Sequence, residues 1–352
     1  MRGFGMHAIN DVGWIEKERP SCGPLDAIIR PTIVAPCSSD THMSHGGSGP
    51  KTDLILGHEA VGIVDEVGES VHKIKVGDYV AVPCVTPDWT ELGVQNFHSF
   101  SHDTGMFGSF KFLGVKDGVM AEYFHVNMAD ANLSIIPEGV SPEAALMTVD
   151  MMSTGFHGAE LCEIKAGDTV VVIGIGPVGL MAIAGAALFG AGRIIAVGTR
   201  PKAMEVATAF GASEFISYKE GPVLDQVMAR TGGKGPHKVI IAGGDANTFT
   251  EAVTMARPGG IISNINYFDV RDTLGFPALN WGLGMADKDI RGSFCPGGAE
   301  RINRLLDMIK YGRIDPTLMI SHKFEGFDKL PEAFDLMDKK APDLIKPVVY
   351  LT

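Results

Sequence analysis

Residues 57–62 read Gly-His-Glu-Ala-Val-Gly, which sets an imidazole and a carboxylate side by side between two glycines. His58 and Glu59 can each bind a metal ion or move a proton, and glycine lets backbone come close to whatever they hold. Such a pair makes a site only if other parts of the chain bring further donors to it.

A second pattern, Gly174-Ile175-Gly176-Pro177-Val178-Gly179, fits G-x-G-x-x-G. It follows a β-branched run, "DTVVVI", and precedes a helical one, "LMAIAGAAL". In that setting the glycines permit a tight turn and a close approach to a pyrophosphate, whose charge meets the free N–H groups of a helix N-terminus. The next β-like run, "RIIAV", ends about 20 residues on, where chains that bind NAD usually place an acid for the ribose 2′-hydroxyl. Gly198-Thr199-Arg200 stand there instead. A hydroxyl and a guanidinium with no carboxylate favour a 2′-phosphate, hence NADP(H). Tyr218 closes the following run and could stack on or bond to the same phosphate, while the plainer role for Arg200 is to solvate a helix start.

These residues need elements to position them. The first third is β-like: "DAIIRPTIV", "AVGIVDEVG" and "DYVAVPCV" are short apolar runs punctuated by Gly, Pro and Asp. Near residue 150 the texture changes to short buried runs alternating with amphipathic helical ones, which predicts a doubly wound parallel sheet. The last 55 or so residues lose that alternation, with two helices and a final strand in "DLIKPVVYL", a tail able to pack back on the first domain. The uncharged stretch 169–192 is long enough on paper to cross a bilayer. Its clustered glycines and proline suit a buried strand, turn and helix better.

A length of 352 residues exceeds what one core usually supports, so two domains are expected. The formal charge of −12, with no basic cluster, argues against nucleic acid or an anionic membrane as partner. Five scattered cysteines and no apolar leader point to a reducing, cytoplasmic setting.

The stretch 57–82, "GHEAVGIVDEVGESVHKIKVGDYVAV", resembles the zinc signature of medium-chain alcohol dehydrogenases. The resemblance extends to Cys37-Ser38-Ser39-Asp40-Thr41-His42 and to the nucleotide loop. Through "TPDW" (86–89), "TGFHGAEL" (154–161) and "ISNINY" (262–267) the chain is most similar to the NADP-dependent secondary-alcohol branch. That likeness implies an α/β protein with a GroES-like β-rich catalytic domain, 1–153 and 296–352, and a Rossmann NADP-binding domain, 154–295. It also implies a homotetramer.

By the same resemblance Cys37, His58 and Asp150 would hold one catalytic Zn2+, with Glu59 an exchangeable fourth ligand or a neighbour that orients the others. From the residues alone, Asp150 reads more readily as a helix N-cap. The four closely spaced cysteines of the family's structural zinc are missing, so that site should be empty; His98 and His102 could imitate half a zinc finger with Cys84, but a closed site needs a fourth ligand, and they read as surface histidines. Zinc would polarise a ketone or alcohol oxygen, the nicotinamide would exchange a hydride, and Ser39 and His42 would relay the proton. The likeness adds Asn266 and Lys340 to the cofactor set and lines a small-substrate pocket with Val85, Trp89, Phe110, Tyr267, Phe294 and Cys295. Relatives carry tryptophan where Phe110 stands, which puts the pocket's size in question. The implied reaction interconverts small secondary alcohols and ketones. A polyol or primary-alcohol dehydrogenase of the same family is one rival, and a non-catalytic NADPH-binding protein of this fold is another.

Overall fold

The computed structural model describes residues 1–96, 106–111, 114–269 and 272–351. Their contacts divide the chain into two units, Met1–Ser153 with Cys295–Thr352, and Thr154–Phe294.

The first unit is built on a seven-stranded sheet. Its path runs Ser134–Ile135, Tyr79–Val82, Ala60–Val67, Ala27–Val34, Lys346–Tyr350, Ile320–Glu325, and Phe124–Val126 also pairs with Ala27–Val34. A three-stranded sheet of Asp11–Glu16, Arg2–Ala8 and Leu54–Ile55 covers part of the same core, in which Phe4, Met6, Phe107, Met120 and Phe124 are buried. Register decides what gathers at one end of the large sheet. Val34 pairs with Ala60, Ala60 with Val82, and Val349 with Val34, each antiparallel. Residues just after Val34 and Val82 therefore leave the sheet at the same edge as residues just before Ala60 and Val349. Cys37, Cys84 and His58 with Glu59 occupy three of those short extensions, and Lys346 begins its strand at the same edge.

In the second unit six strands run parallel in the order Glu214–Ile216, Arg193–Val197, Thr169–Ile173, Lys238–Ile241, Ile261–Asn264, Asp289–Gly292. This is the doubly wound dinucleotide order, in which chain direction switches beside the first strand and opens a crevice at the carboxyl ends. The β-branched strands are buried almost end to end, as a sheet covered on both faces requires. No helix among the described residues is long and apolar enough to cross a membrane. The uncharged stretch is the strand Thr169–Ile173, a turn, and the helix Pro177–Leu188.

Candidate active site

Cys37 ends an extended segment and caps the short helix Ser38–Ser44. Asp40, buried in the first turn of that helix, ties the site's backbone together. Its carboxylate accepts the Cys37 amide at 2.8 Å and the Gly57 amide at 3.2 Å. Gly57 has φ of +92°, and a Cβ there would lie 2.5 Å from Met120 Cγ, so only glycine fits the bend that aims His58.

His58 is fully buried, with Nδ1 2.9 Å from Asp40 Oδ1. That hydrogen bond assigns the Nδ1 proton and leaves Nε2 facing Asp150 Oδ2 at 3.2 Å and Glu59 Oε1 at 3.8 Å. Cys37 Sγ is 4.0 Å from the same Asp150 oxygen. Asp150 comes from a different part of the fold: the helix capped by Ser141 widens into a π-helical turn, Thr148–Met152, and carries Asp150 in its middle. The N-cap reading of Asp150 therefore fails, because the helix begins more than two turns earlier, at Ser141. Widened turns of this kind re-aim side chains at functional sites.

Donor atoms from Cys37, His58, Glu59 and Asp150 all lie within 4.8 Å of one another. Ligands on a tetrahedral zinc, bonded at 2.0–2.3 Å, are roughly 3.3–3.8 Å apart, close to the spacings seen here. Electrostatics favour a cation at the centre. Burial opposes a charge on His58, yet Asp40, with Asp150 assisting, outweighs it and raises the imidazole well above its usual range. Burial pushes the Glu59 carboxyl up to about 7 against the pull of the Lys346 ammonium. Burial likewise opposes the charge on Lys346, and Glu59 beside it more than compensates. The Lys346 ammonium donates to Glu59 Oε1 and to the Pro36 carbonyl, both inside the protein. One sulfur, one imidazole and one or two carboxylates, oriented from behind by Asp40 and Lys346, fit a zinc ion.

Ser39 Oγ lies 3.8 Å from Cys37 Sγ, and His42 stands in the last turn of the same short helix with its ring against Gly47. Of the pocket residues in this unit, Val85 and Cys295 are buried, and Phe110 belongs to the strand Ser109–Lys111. Trp89 donates its indole N–H to Asn132 Oδ1 at 3.0 Å. Lys340 ends the helix Leu330–Lys339 in the left-handed conformation. His98 and His102 lie outside the described residues.

In the second unit the loop 174–179 leaves the carboxyl end of the first strand and Gly176 caps the helix Pro177–Leu188 with no side-chain cap of its own. The helix's leading N–H groups are thus open to an anion. A Cβ on Gly179 would lie 1.9 Å from the Gly174 carbonyl oxygen, so the loop closes only around glycine. A cavity of about 520 Å3 opens beside it, lined by Gly174, Val197, Tyr218, Gly244 and Thr248 among others. Thr199 Oγ1 donates to the Tyr218 hydroxyl at 3.0 Å, which brings these two anion-binding candidates together. Arg200 stands at the N-cap position of the helix Pro201–Ala209, and burial lowers its pKa. Asn266 donates to the Gly244 carbonyl at 3.4 Å. Tyr267 is exposed and Phe294 half-buried in this unit.

Asp40 and Lys346 were not singled out in the sequence. A signal existed for each: an acid three residues after Cys37, and a single charge within the apolar run "LIKPVVYL".

Residues 23–138 match the profile of the alcohol dehydrogenase GroES-like domain, and residues 177–311 that of the zinc-binding dehydrogenases. The chain is 54% identical to an NADP-dependent isopropanol dehydrogenase of Thermoanaerobacter brockii, with 100% of both chains covered. It is 51% identical to one from Entamoeba histolytica, over 99% of this chain and 95% of that one. An alcohol dehydrogenase from Thermus sp. ATN1 has the same fold, with a TM-score of 0.87, 30% identity and 100% of both chains covered. With two domain profiles matched and full-length relatives above half identity, the chain belongs to the zinc-dependent medium-chain alcohol dehydrogenase family.

Proposed function

We propose that this protein interconverts small secondary alcohols and ketones with NADP(H), using one zinc ion held by Cys37, His58 and Asp150. The gathering of these donors with Glu59, each within 4.8 Å of the others, carries the reading. The isopropanol dehydrogenases at 54% identity support the substrate class and the cofactor.

Zinc, when bound, supplies a Lewis acid that polarises the substrate oxygen. The chain's own residues do the rest. Asp40 keeps the Nδ1 proton on His58 and so fixes which nitrogen faces the site. Glu59, paired with Lys346, stands where it can exchange with a departing ligand. Oxidation of a secondary alcohol sheds a hydride from carbon and a proton from oxygen. Ser39, beside Cys37, takes that proton and His42 passes it on. Thr199, Arg200 and Tyr218 bind the 2′-phosphate, the glycine loop binds the pyrophosphate, and Asn266 and Lys340 complete the cofactor set. Val85, Trp89, Phe110, Tyr267, Phe294 and Cys295 bound the substrate. The active form is a homotetramer in the cytoplasm; all five cysteines are unpaired, as a reducing compartment requires.

The test is a screen of 2-propanol, ethanol, a sugar alcohol and several ketones with NADPH and NADH, alongside measured zinc content. Preference for 2-propanol with NADP+, lost on zinc removal, is the expected result. Undiminished turnover in the stripped protein would end this reading.

A further inference from the structure

Beside the first donor set lies another. Cys84 Sγ, Cys295 Sγ and a carboxylate oxygen of Asp150 are within 4.8 Å of one another, and all three residues are buried. Their backbones are fixed. Cys84 donates its amide to the Val149 carbonyl at 3.0 Å and accepts from the Phe107 amide at 3.1 Å. Cys295 precedes Pro296, whose carbonyl accepts from Ser153 Oγ at 2.7 Å, and Arg301 donates to that same hydroxyl at 3.2 Å. Cys295 Sγ also sits 4.0 Å from the Asp150 carbonyl oxygen. The sulfurs therefore face the carboxylate through a short stretch of anchored chain, and the proposed reaction gives Cys84 no task.

We propose that Cys84, Cys295 and Asp150 form a second metal position, selective for a thiophilic divalent ion. Compared with Cys37, His58 and Asp150, this set exchanges an imidazole for a second sulfur. That shift favours soft ions over those content with nitrogen and oxygen. Binding releases the two thiol protons to solvent and leaves two thiolates and one carboxylate on the ion, with one position open. Asp150 belongs to both sets, so an ion on the two sulfurs draws on a carboxylate that the first site also uses. The two positions are thereby linked through one side chain.

Cd2+ is the probe, added to the zinc-loaded full-length protein under reducing conditions. Bound metal is counted by elemental analysis, and ligation is followed through the sulfur-to-cadmium ultraviolet band. The unsubstituted protein should bind one equivalent more than either Cys84→Ser or Cys295→Ser, while Cys37→Ser keeps that additional equivalent. Equal stoichiometry in all four proteins, or a band that depends only on Cys37, would overturn the proposal. X-ray absorption on the unsubstituted protein, with zinc still at one per chain, needs no variant to fold. Two sulfur neighbours around the added cadmium support the site, and one or none refutes it. Neither readout depends on turnover, so this result stands apart from the substrate screen.

Discussion

Six consecutive residues, Gly174 to Gly179, build the anion cradle of one unit. In the other, the cation cluster takes Cys37, His58, Asp150 and Lys346 from four segments distributed from near the start of the chain to near its end. The cradle works through backbone N–H groups at a helix start, so it asks of the sequence only small residues and a strand–turn–helix context. The cluster works through side chains, so it depends on strand register, a widened helical turn and two buried charges that must neutralise each other. A local device should tolerate changes elsewhere in the fold, whereas an assembled one should respond to changes in residues that never touch substrate.

The sharpest break is Cys37→Ser. Loss of a ligand should lower kcat by roughly a thousandfold, about 4 kcal/mol, because the polarising ion is weakened or lost. NADPH binding, read by fluorescence, should be unchanged; its loss would show that cradle and cluster are not independent. Next comes Lys346→Met, which strands a buried Glu59 and should cost about 3–5 kcal/mol in denaturant stability. The double variant Glu59→Gln with Lys346→Met should regain most of it, and no regain would mean that the pair is not what Lys346 supports.

Asp40→Asn keeps the side-chain shape but loses the charge on the Nδ1 partner of His58. Zinc affinity, measured by competition with a chelator, should fall roughly 10–100-fold. An unaltered affinity would remove Asp40 from the cluster's support. Arg200→Ala tests the cradle's specificity. A hydrogen bond to a charged group is worth about 1.5–3 kcal/mol, so NADPH should bind at least about tenfold more weakly while NADH changes little. Equal losses for both cofactors would assign Arg200 to the helix start rather than to the phosphate.

Legibility followed the same division. The parallel sheet could be read in advance because each β-branched run and each helical run carries its own period, and because "GIGPVG" sits between a strand and a helix. His58 stood out by residue type beside Glu59, but Cys37 and Asp150 were named only because their motifs resemble a family. By residue type alone Asp150 was a helix cap; Ser141-Pro142-Glu143 does carry a helix-start signal, but nothing local signals that this helix opens into a π turn at 148. Asp40 and Lys346 left faint traces. Cys84 and Cys295 left none as a pair, since two cysteines so far apart in the chain are joined only by folding.

By itself the sequence determined the class of each unit, the nucleotide loop and the family, because periodicity, glycine placement and local hydrogen bonding act over a few residues. Tertiary structure alone decided which distant side chains meet at one site. Antiparallel register brings the ends of separate strands to one edge, and a single widened turn swings a carboxylate toward them. Contacts of that kind arise from packing across the sheet, where the spacing of residues along the chain no longer says how far apart they are.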